Sequence, residues 1–134
     1  MAEKHPALSM RPFLMFEGQA QAALDLYREV FPDSKPGPSI PHPDGNGLML
    51  AELDIAGTRL LVSDSSVRHG FSFTPSSSLF VEFSGADALD FAFNRLSDSG
   101  QVLMPLGDYG FSPRFGWCND RFGVSWQLNL AATA

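Results

Sequence analysis

Along this chain the spacing of apolar and polar positions switches from strand-like to helix-like and back, twice in the same order. Arg11-Pro12-Phe13-Leu14-Met15-Phe16 is a short apolar run that ends at Glu17-Gly18 and predicts a strand. From Gln19 onward, Ala20, Ala23, Leu24, Tyr27, Val30 and Phe31 recur at three- and four-residue spacing. Gln21, Asp25, Arg28 and Glu29 fall opposite them, which predicts an amphipathic helix. Pro32 ends it, because proline has no N–H to donate and its ring clashes with the preceding turn. Pro36, Pro38, Pro41 and Pro43 then alternate with Gly37, Gly45 and Gly47, so this stretch predicts at most an irregular edge strand running into a mobile loop. His42 within it reads as a solvated loop residue. Leu48 to Ile55 and Thr58 to Ser63 flank Ala56-Gly57, the pattern of two antiparallel strands joined by a tight turn.

The same order then returns. A polar, glycine-bearing linker between Asp64 and Ser77 carries His69, Phe71 and Phe73. Leu79 to Phe83 predicts a strand, and Ser84 with Asp87 supplies a capping box ahead of Ala86, Leu89, Ala92, Phe93 and Leu96 at helical spacing. Gly100 stands where a helix C-terminus favours a residue that tolerates positive φ, and Gln101 to Leu106 resumes apolar character. The stretch from Asp108 to Leu128 holds both tryptophans, the Arg114/Arg121 pair and the single cysteine. An Asn119-Asp120-Arg121 turn separates two alternating runs there. Phe115 and Trp117 on one arm, and Val124, Trp126 and Leu128 on the other, should be buried while Ser125 and Gln127 point the other way. Such a hairpin either simply closes a sheet or turns its polar face to a ligand cavity.

Superposing Phe13–Tyr27 on Phe80–Phe93 matches strand with strand and helix with helix at an offset of about half the chain. The expectation is an α+β fold of two βαβββ modules whose curled mixed sheet surrounds a cavity. Residues 1–10 form a flexible tail, 11–66 the first module, 67–77 a linker and 78–130 the second module, together one domain.

Composition narrows the function classes. A net charge of −6 and a pI near 4.8 argue against nucleic acid, whose phosphates reward a basic stripe. No apolar run approaches the ~20 residues of a membrane span, and the first residues lack the apolar core of a signal peptide, so a cytoplasmic protein with no membrane partner is expected. One cysteine excludes an intramolecular disulfide and cysteine-rich zinc sites. His5, His42 and His69 fall in tail or loops, and no serine or cysteine stands at a recognisable motif spacing from them. Cys118 beside Trp117 reads as a small buried hydrophobe or a reactive thiol. Arg114 and Arg121 either grip a carboxylate or phosphate, or pair with Asp108 and Asp120. Glu82, opposite in phase to Val81 and Phe83, projects into the cavity or into solvent.

Phe13-Leu14-Met15-Phe16-Glu17-Gly18 followed by Ala22-Ala23-Leu24-Asp25-Leu26-Tyr27 resembles the opening motif of the PhnB-like branch of the vicinal oxygen chelate superfamily, the group of glyoxalase I and the bleomycin and fosfomycin resistance proteins. Leu103-Met104-Pro105-Leu106-Gly107-Asp108-Tyr109, Trp117 and the run from Asp120 to Leu128 resemble its closing motif, so the likeness spans nearly the whole chain. It implies the glyoxalase/bleomycin resistance/dihydroxybiphenyl dioxygenase-like fold and a homodimer whose two chains complete one another's cavities. In metal enzymes of the superfamily, His, Gln or Glu side chains from the first and last strands of each module hold a divalent cation. The matching positions here fall near Arg11 or Pro12, near Ser63 or Asp64, on Ser78 and on Gln127, which implies no catalytic metal and no cofactor. Proteins of this kind often carry a demethylubiquinone methyltransferase label, yet no glycine-rich strand-to-helix turn suited to S-adenosylmethionine is present. The function implied is binding of a small, partly aromatic molecule, with Phe16, Asp64, Phe80, Tyr109, Trp117 and Gln127 as candidate contacts. The alternatives are a metal-dependent lyase or dioxygenase-type enzyme of the same superfamily, or a scaffold in which the twelve phenylalanines only fill the core.

Overall fold

Each strand–helix–three-strand series builds its own four-stranded sheet. In the computed structural model, which describes residues 5–132, the first series is β1 (Phe13–Phe16), α1 (Ala20–Val30), β2 (Lys35–Pro41), β3 (Leu48–Ile55) and β4 (Thr58–Asp64). The second is β5 (Ser78–Phe83), α2 (Ala86–Ser97), β6 (Gln101–Gly107), β7 (Phe115–Asn119) and β8 (Ser125–Leu130). Strand order is β1-β4-β3-β2 in one sheet and β5-β8-β7-β6 in the other, so neither sheet is closed. β1 runs parallel to β4 and β5 parallel to β8, while the remaining pairs are antiparallel. The result is a mixed α+β fold of two repeated βαβββ series. Contacts divide the chain into one unit containing Pro32–Arg68 with the residues up to Arg28, and another containing Glu29–Phe31 with the residues from His69 on. Of the N-terminal tail, residues 1–4 lie outside the described residues, and His5–Met10 are exposed without regular structure.

In the first unit, Ala51 and Leu53 on β3 face Val62 and Leu60 on β4, and all four are buried. Ala56 and Gly57 both have positive φ, 52° and 86°, as a two-residue turn matched to the twist of its strands requires. The Asp54 carboxylate accepts the Gly57 N–H at 2.9 Å and closes that turn. β2 is exposed along its length and shifts register against β3 twice, the irregular edge strand that its prolines predict.

In the second unit, α2 lays Leu89, Ala92, Phe93 and Leu96 in the core. A Cβ at Gly116 would come within 2.7 Å of Phe93 and 2.9 Å of Leu106, so the helix approaches β7 too closely for any larger residue there. Register carries that phase across the sheet: Gly116 pairs Leu128 and Cys118 pairs Trp126. Phe31 stacks on Phe83 and packs at a tilt against Trp126, with ring centroids 6.2 and 5.5 Å apart, and adds to the same core.

Three local expectations change. Trp117 does not share the core face with Trp126; it pairs Gln127, on the opposite side of the sheet, because small residues rather than bulky ones meet the helix on β7. The first turn of α2 has Gly85 as its N-cap, in extended conformation and without a side-chain capping bond, so Ser84 and Asp87 form no capping box. Gly100 does not carry the positive φ after α2. Ser99 does, at 63°, and Gly100 is needed because a Cβ there would collide with the Asn119 carbonyl oxygen.

Candidate functional site

With the core side of the second sheet set by Gly116 and Cys118, the other side is defined by register. Phe80 pairs Gln127, Gln127 pairs Trp117, and Trp117 pairs Met104, so one row crosses all four strands β5, β8, β7 and β6. Phe80 is 56% exposed at one end of that row. Next to it runs a second row, Glu82, Asn129 and Phe115. Phe115 is only 4% exposed although it lies opposite the helix, because Tyr109 and Phe111 from the β6–β7 loop pack edge-on against its ring at 6.1 and 5.0 Å. Phe80 completes the group, its ring 6.5 Å from that of Phe115. Four of the six residues expected to contact a ligand thus meet on one side of one sheet. Phe111, Phe115 and the asparagines were not anticipated; the pairing register of the last hairpin is the signal that would have found them.

Hydrogen bonds fix the walls of this face. Trp117 Nε1 donates to Ser125 Oγ at 2.8 Å, and Ser125 Oγ lies 2.6 Å from Ser78 Oγ. Ser78 donates on to the Pro75 carbonyl at 3.3 Å, so Ser125 is the donor to Ser78 and the chain runs in one direction. Tyr109 donates its hydroxyl to the Pro105 carbonyl at 2.5 Å. Asn129 Nδ2 donates to Glu82 Oε2, and Asn119 Nδ2 to Gln101 Oε1, each at 3.3 Å. Glu82 is therefore on this face, beside Asn129, with its carboxylate exposed. The side chain of Gln127, half-buried at the centre, makes no hydrogen bond among the described residues.

Phe16 and Asp64 pair with each other in the first unit and are both buried. The Asp64 carboxylate accepts the N–H groups of Gly18 and Ala20 through Oδ1 and that of Leu48 through Oδ2, at 2.8 to 2.9 Å. It caps α1 from a distant strand, stabilising donors that a helix start leaves unpaired. A Cβ at Gly47 would lie 2.5 Å from Oδ2. His42 is half-buried rather than solvated and donates from Nε2 to the Asp64 carbonyl oxygen at 2.7 Å.

The charged pairs differ from expectation. Arg114 pairs with Asp90 on α2 at 2.6 Å, not with Asp108 or Asp120. Asp108 accepts the Gly110 N–H at 2.8 Å. Asp120 is buried and accepts from the Phe122 and Val124 N–H groups and from Trp126 Nε1, which makes it the anchor of the β7–β8 turn. Cys118 is fully buried; desolvation, with a smaller contribution from the Asp120 charge, pushes its thiol from 9.0 up to about 12, which makes it a core residue and not a nucleophile.

A divalent cation of the vicinal oxygen chelate type does not fit the residues at the corresponding positions. Asp64 has its carboxylate taken up by three backbone donors, Ser78 is held in the hydroxyl chain, and Gln127 offers one neutral oxygen. Among the described residues no group of three or more His, Cys, Asp or Glu side chains is placed to hold a metal ion.

Paired βαβββ units with this strand order define the glyoxalase-like class of proteins. The family described as 3-demethylubiquinone-9 3-methyltransferase matches residues 9–129, and the chain belongs to it. A PhnB protein from Bacillus cereus bearing the same description is 38% identical, with 91% of this chain and 98% of that one covered and a TM-score of 0.87. Protein PA1353 from Pseudomonas aeruginosa is 25% identical over 92% of this chain and 98% of that one, with a TM-score of 0.82. The fosfomycin resistance protein FosX from Listeria monocytogenes, solved with Mn(II) and a dihydroxypropylphosphonic acid, shares the fold at 10% identity, 95% coverage of both chains and a TM-score of 0.65. No curated protein matches this sequence. Among the described residues no helix is long and apolar enough to cross a membrane.

Proposed function

We propose that this protein binds a small, partly aromatic molecule on the open face of its second sheet, without a catalytic metal. The observation that carries this reading is the row Phe80–Gln127–Trp117, in which an unpartnered carboxamide lies between two aromatic side chains. Aromatic walls with a few fixed polar groups suit a small ligand, and the Ser125–Ser78 chain holds the Trp117 indole in place. Methyl transfer, which the family description names, is not part of the proposal. The β1–α1 connection is only Glu17-Gly18-Gln19, and the N–H groups that could cradle a cofactor, those of Gly18 and Ala20, are already bonded to Asp64.

A thermal-shift screen of metabolites tests the reading, since a ligand at 100 times its dissociation constant stabilises by about 2.7 kcal/mol. A hit whose shift disappears in Gln127→Ala supports it; hits insensitive to Gln127, Trp117 and Phe80 substitutions remove it. Elemental analysis of purified protein should find no stoichiometric zinc, nickel or manganese. One metal per chain, lost in Asp64→Ala or Gln127→Ala, would overturn the metal-free part.

The proposal includes a homodimer. Phe13, Ile40 and Met49 in the first unit, and Val102 and Leu103 in the second, are apolar and exposed, and a two-fold contact would cover such positions. Light scattering at micromolar concentration should give twice the chain mass; a concentration-independent monomer rejects it.

A further inference from the structure

We infer that the open face of the second sheet selects a flat, uncharged or cationic molecule that carries N–H or O–H donors and turns away carboxylates and phosphorus oxyanions. This rests on the small-molecule reading above and adds to it the polarity of the ligand. The face has consumed its indole and hydroxyl donors. The Trp117 indole N–H goes to Ser125, the two serine hydroxyls go down the chain to Pro75, and the Tyr109 hydroxyl goes to Pro105. Acceptors are left over. Glu82 can only accept when ionised, so the amide of Asn129 must point its nitrogen at Glu82 and its Oδ1 elsewhere. The acceptors within reach are the second Glu82 oxygen and the Gln127 carboxamide oxygen, neither of which accepts a hydrogen bond among the described residues. An accessible acceptor without a protein donor is open to a donor brought by the ligand.

Charge points the same way. No lysine, arginine or histidine occupies a position of this face in the β5–β8–β7–β6 register, and its one charged side chain is the carboxylate of Glu82. Arg114, next in sequence to Phe115, is turned to Asp90 on α2. An anionic ligand would meet repulsion from Glu82 and would find the Gln127 carboxamide as its main free donor. A planar ligand with donor groups instead stacks against Phe80 and Trp117 and donates to the Gln127 and Glu82 oxygens.

Four probes that share a naphthalene ring separate these effects: 2-naphthamidine as a cationic donor, 2-naphthamide as a neutral donor, methyl 2-naphthoate with no donor, and 2-naphthoate as the anion. Calorimetric titration of the full chain measures affinity, and the side-chain carboxamide NMR signals of Gln127 and Asn129 locate the binding. The amidine and the amide should bind more tightly than the ester, and the anion should be at least about tenfold weaker than the amide. Glu82→Gln, an exposed position, should weaken the amidine about threefold and the amide by a smaller factor. Equal affinity for all four, or tightest binding of 2-naphthoate, overturns the selectivity while the small-molecule reading stands. If none of the four perturbs Gln127, both fall.

Discussion

In the first unit the buried carboxylate, Asp64, sits at the end of a strand and holds the start of a helix; in the second, Asp120 follows a strand and holds the tip of a hairpin. Both units have the same strand order and the same parallel outer pair. Their hairpins differ accordingly. The β3–β4 turn needs only Ala56 and Gly57 in positive-φ conformations, whereas the longer β7–β8 connection is organised by three bonds to one carboxylate. The open faces differ too. On the first sheet Glu52 and Arg59 pair at 3.2 Å, with Leu61 opposite Glu52 and Asp54 opposite Arg59, and on the second sheet amides lie among aromatic rings with one carboxylate. A repeated topology therefore fixes where side chains can be presented, and the residues at each register position decide whether a face carries ion pairs or amides among aromatic rings.

The largest test sets the two sides of the second sheet against each other. Trp126→Ala removes a side chain that is 1% exposed and should cost about 3–5 kcal/mol by denaturant titration. Trp117→Ala, on the half-open side, should cost about 1 kcal/mol. The reverse ranking would mean that the hairpin register is displaced by one residue.

The two carboxylates give the next contrast. Asp64→Ala should destabilise by about 2–4 kcal/mol and speed amide hydrogen exchange at Gly18, Ala20 and Leu48, the groups it holds. Asp120→Ala should instead expose the amides of Phe122 and Val124. If either substitution loosened both sets equally, the division of labour between units would be lost.

Cys118 supplies a pH-dependent difference. Its folded-state value is raised from 9.0 to about 12, so the folded protein keeps a proton that the unfolded chain releases above about pH 9. Its contribution is fully present below pH 9 and declines between about 9 and 12, by about 1 kcal/mol per pH unit. Cys118→Ala should flatten the alkaline limb of the stability profile by that slope; an unchanged limb refutes the shift. The smallest expected effect is Gln127→Ala, within about 0.5 kcal/mol in stability because the side chain has no partner to lose, with its effect confined to ligand affinity.

Much of the fold was legible in residue spacing, because each helix has a clean apolar stripe and prolines or glycines punctuate the strands. α1 begins at Ala20 and ends at Val30, close to where Gln19 and Pro32 bracket it, and β3 and β4 flank Ala56-Gly57 as the pattern predicts. The phase of β7 was not legible. Alternation reveals that one side of a strand differs from the other, but whether large or small residues meet the core depends on how close the helix comes, and Gly116 shows that it comes very close. The ion pairs were equally hidden: Arg114 has nearer aspartates in sequence than Asp90, and only the packing of α2 brings that carboxylate within reach. Of the candidate site, Phe80, Tyr109, Trp117 and Gln127 fall on one side of the second sheet, while the capping role of Asp64 arises from contacts 16 to 46 residues away that no local pattern encodes.

The chemical silence of the Cys118 thiol has a practical side. Since the chain has no other cysteine and this one is buried and fully protonated at neutral pH, a thiol engineered at an exposed position such as Phe80 or Phe111 can be labelled selectively on the native fold. Fluorophores, spin labels or cross-linkers can then be placed one at a time along the open face without first removing the native cysteine, so distance measurements become accessible in the unaltered core.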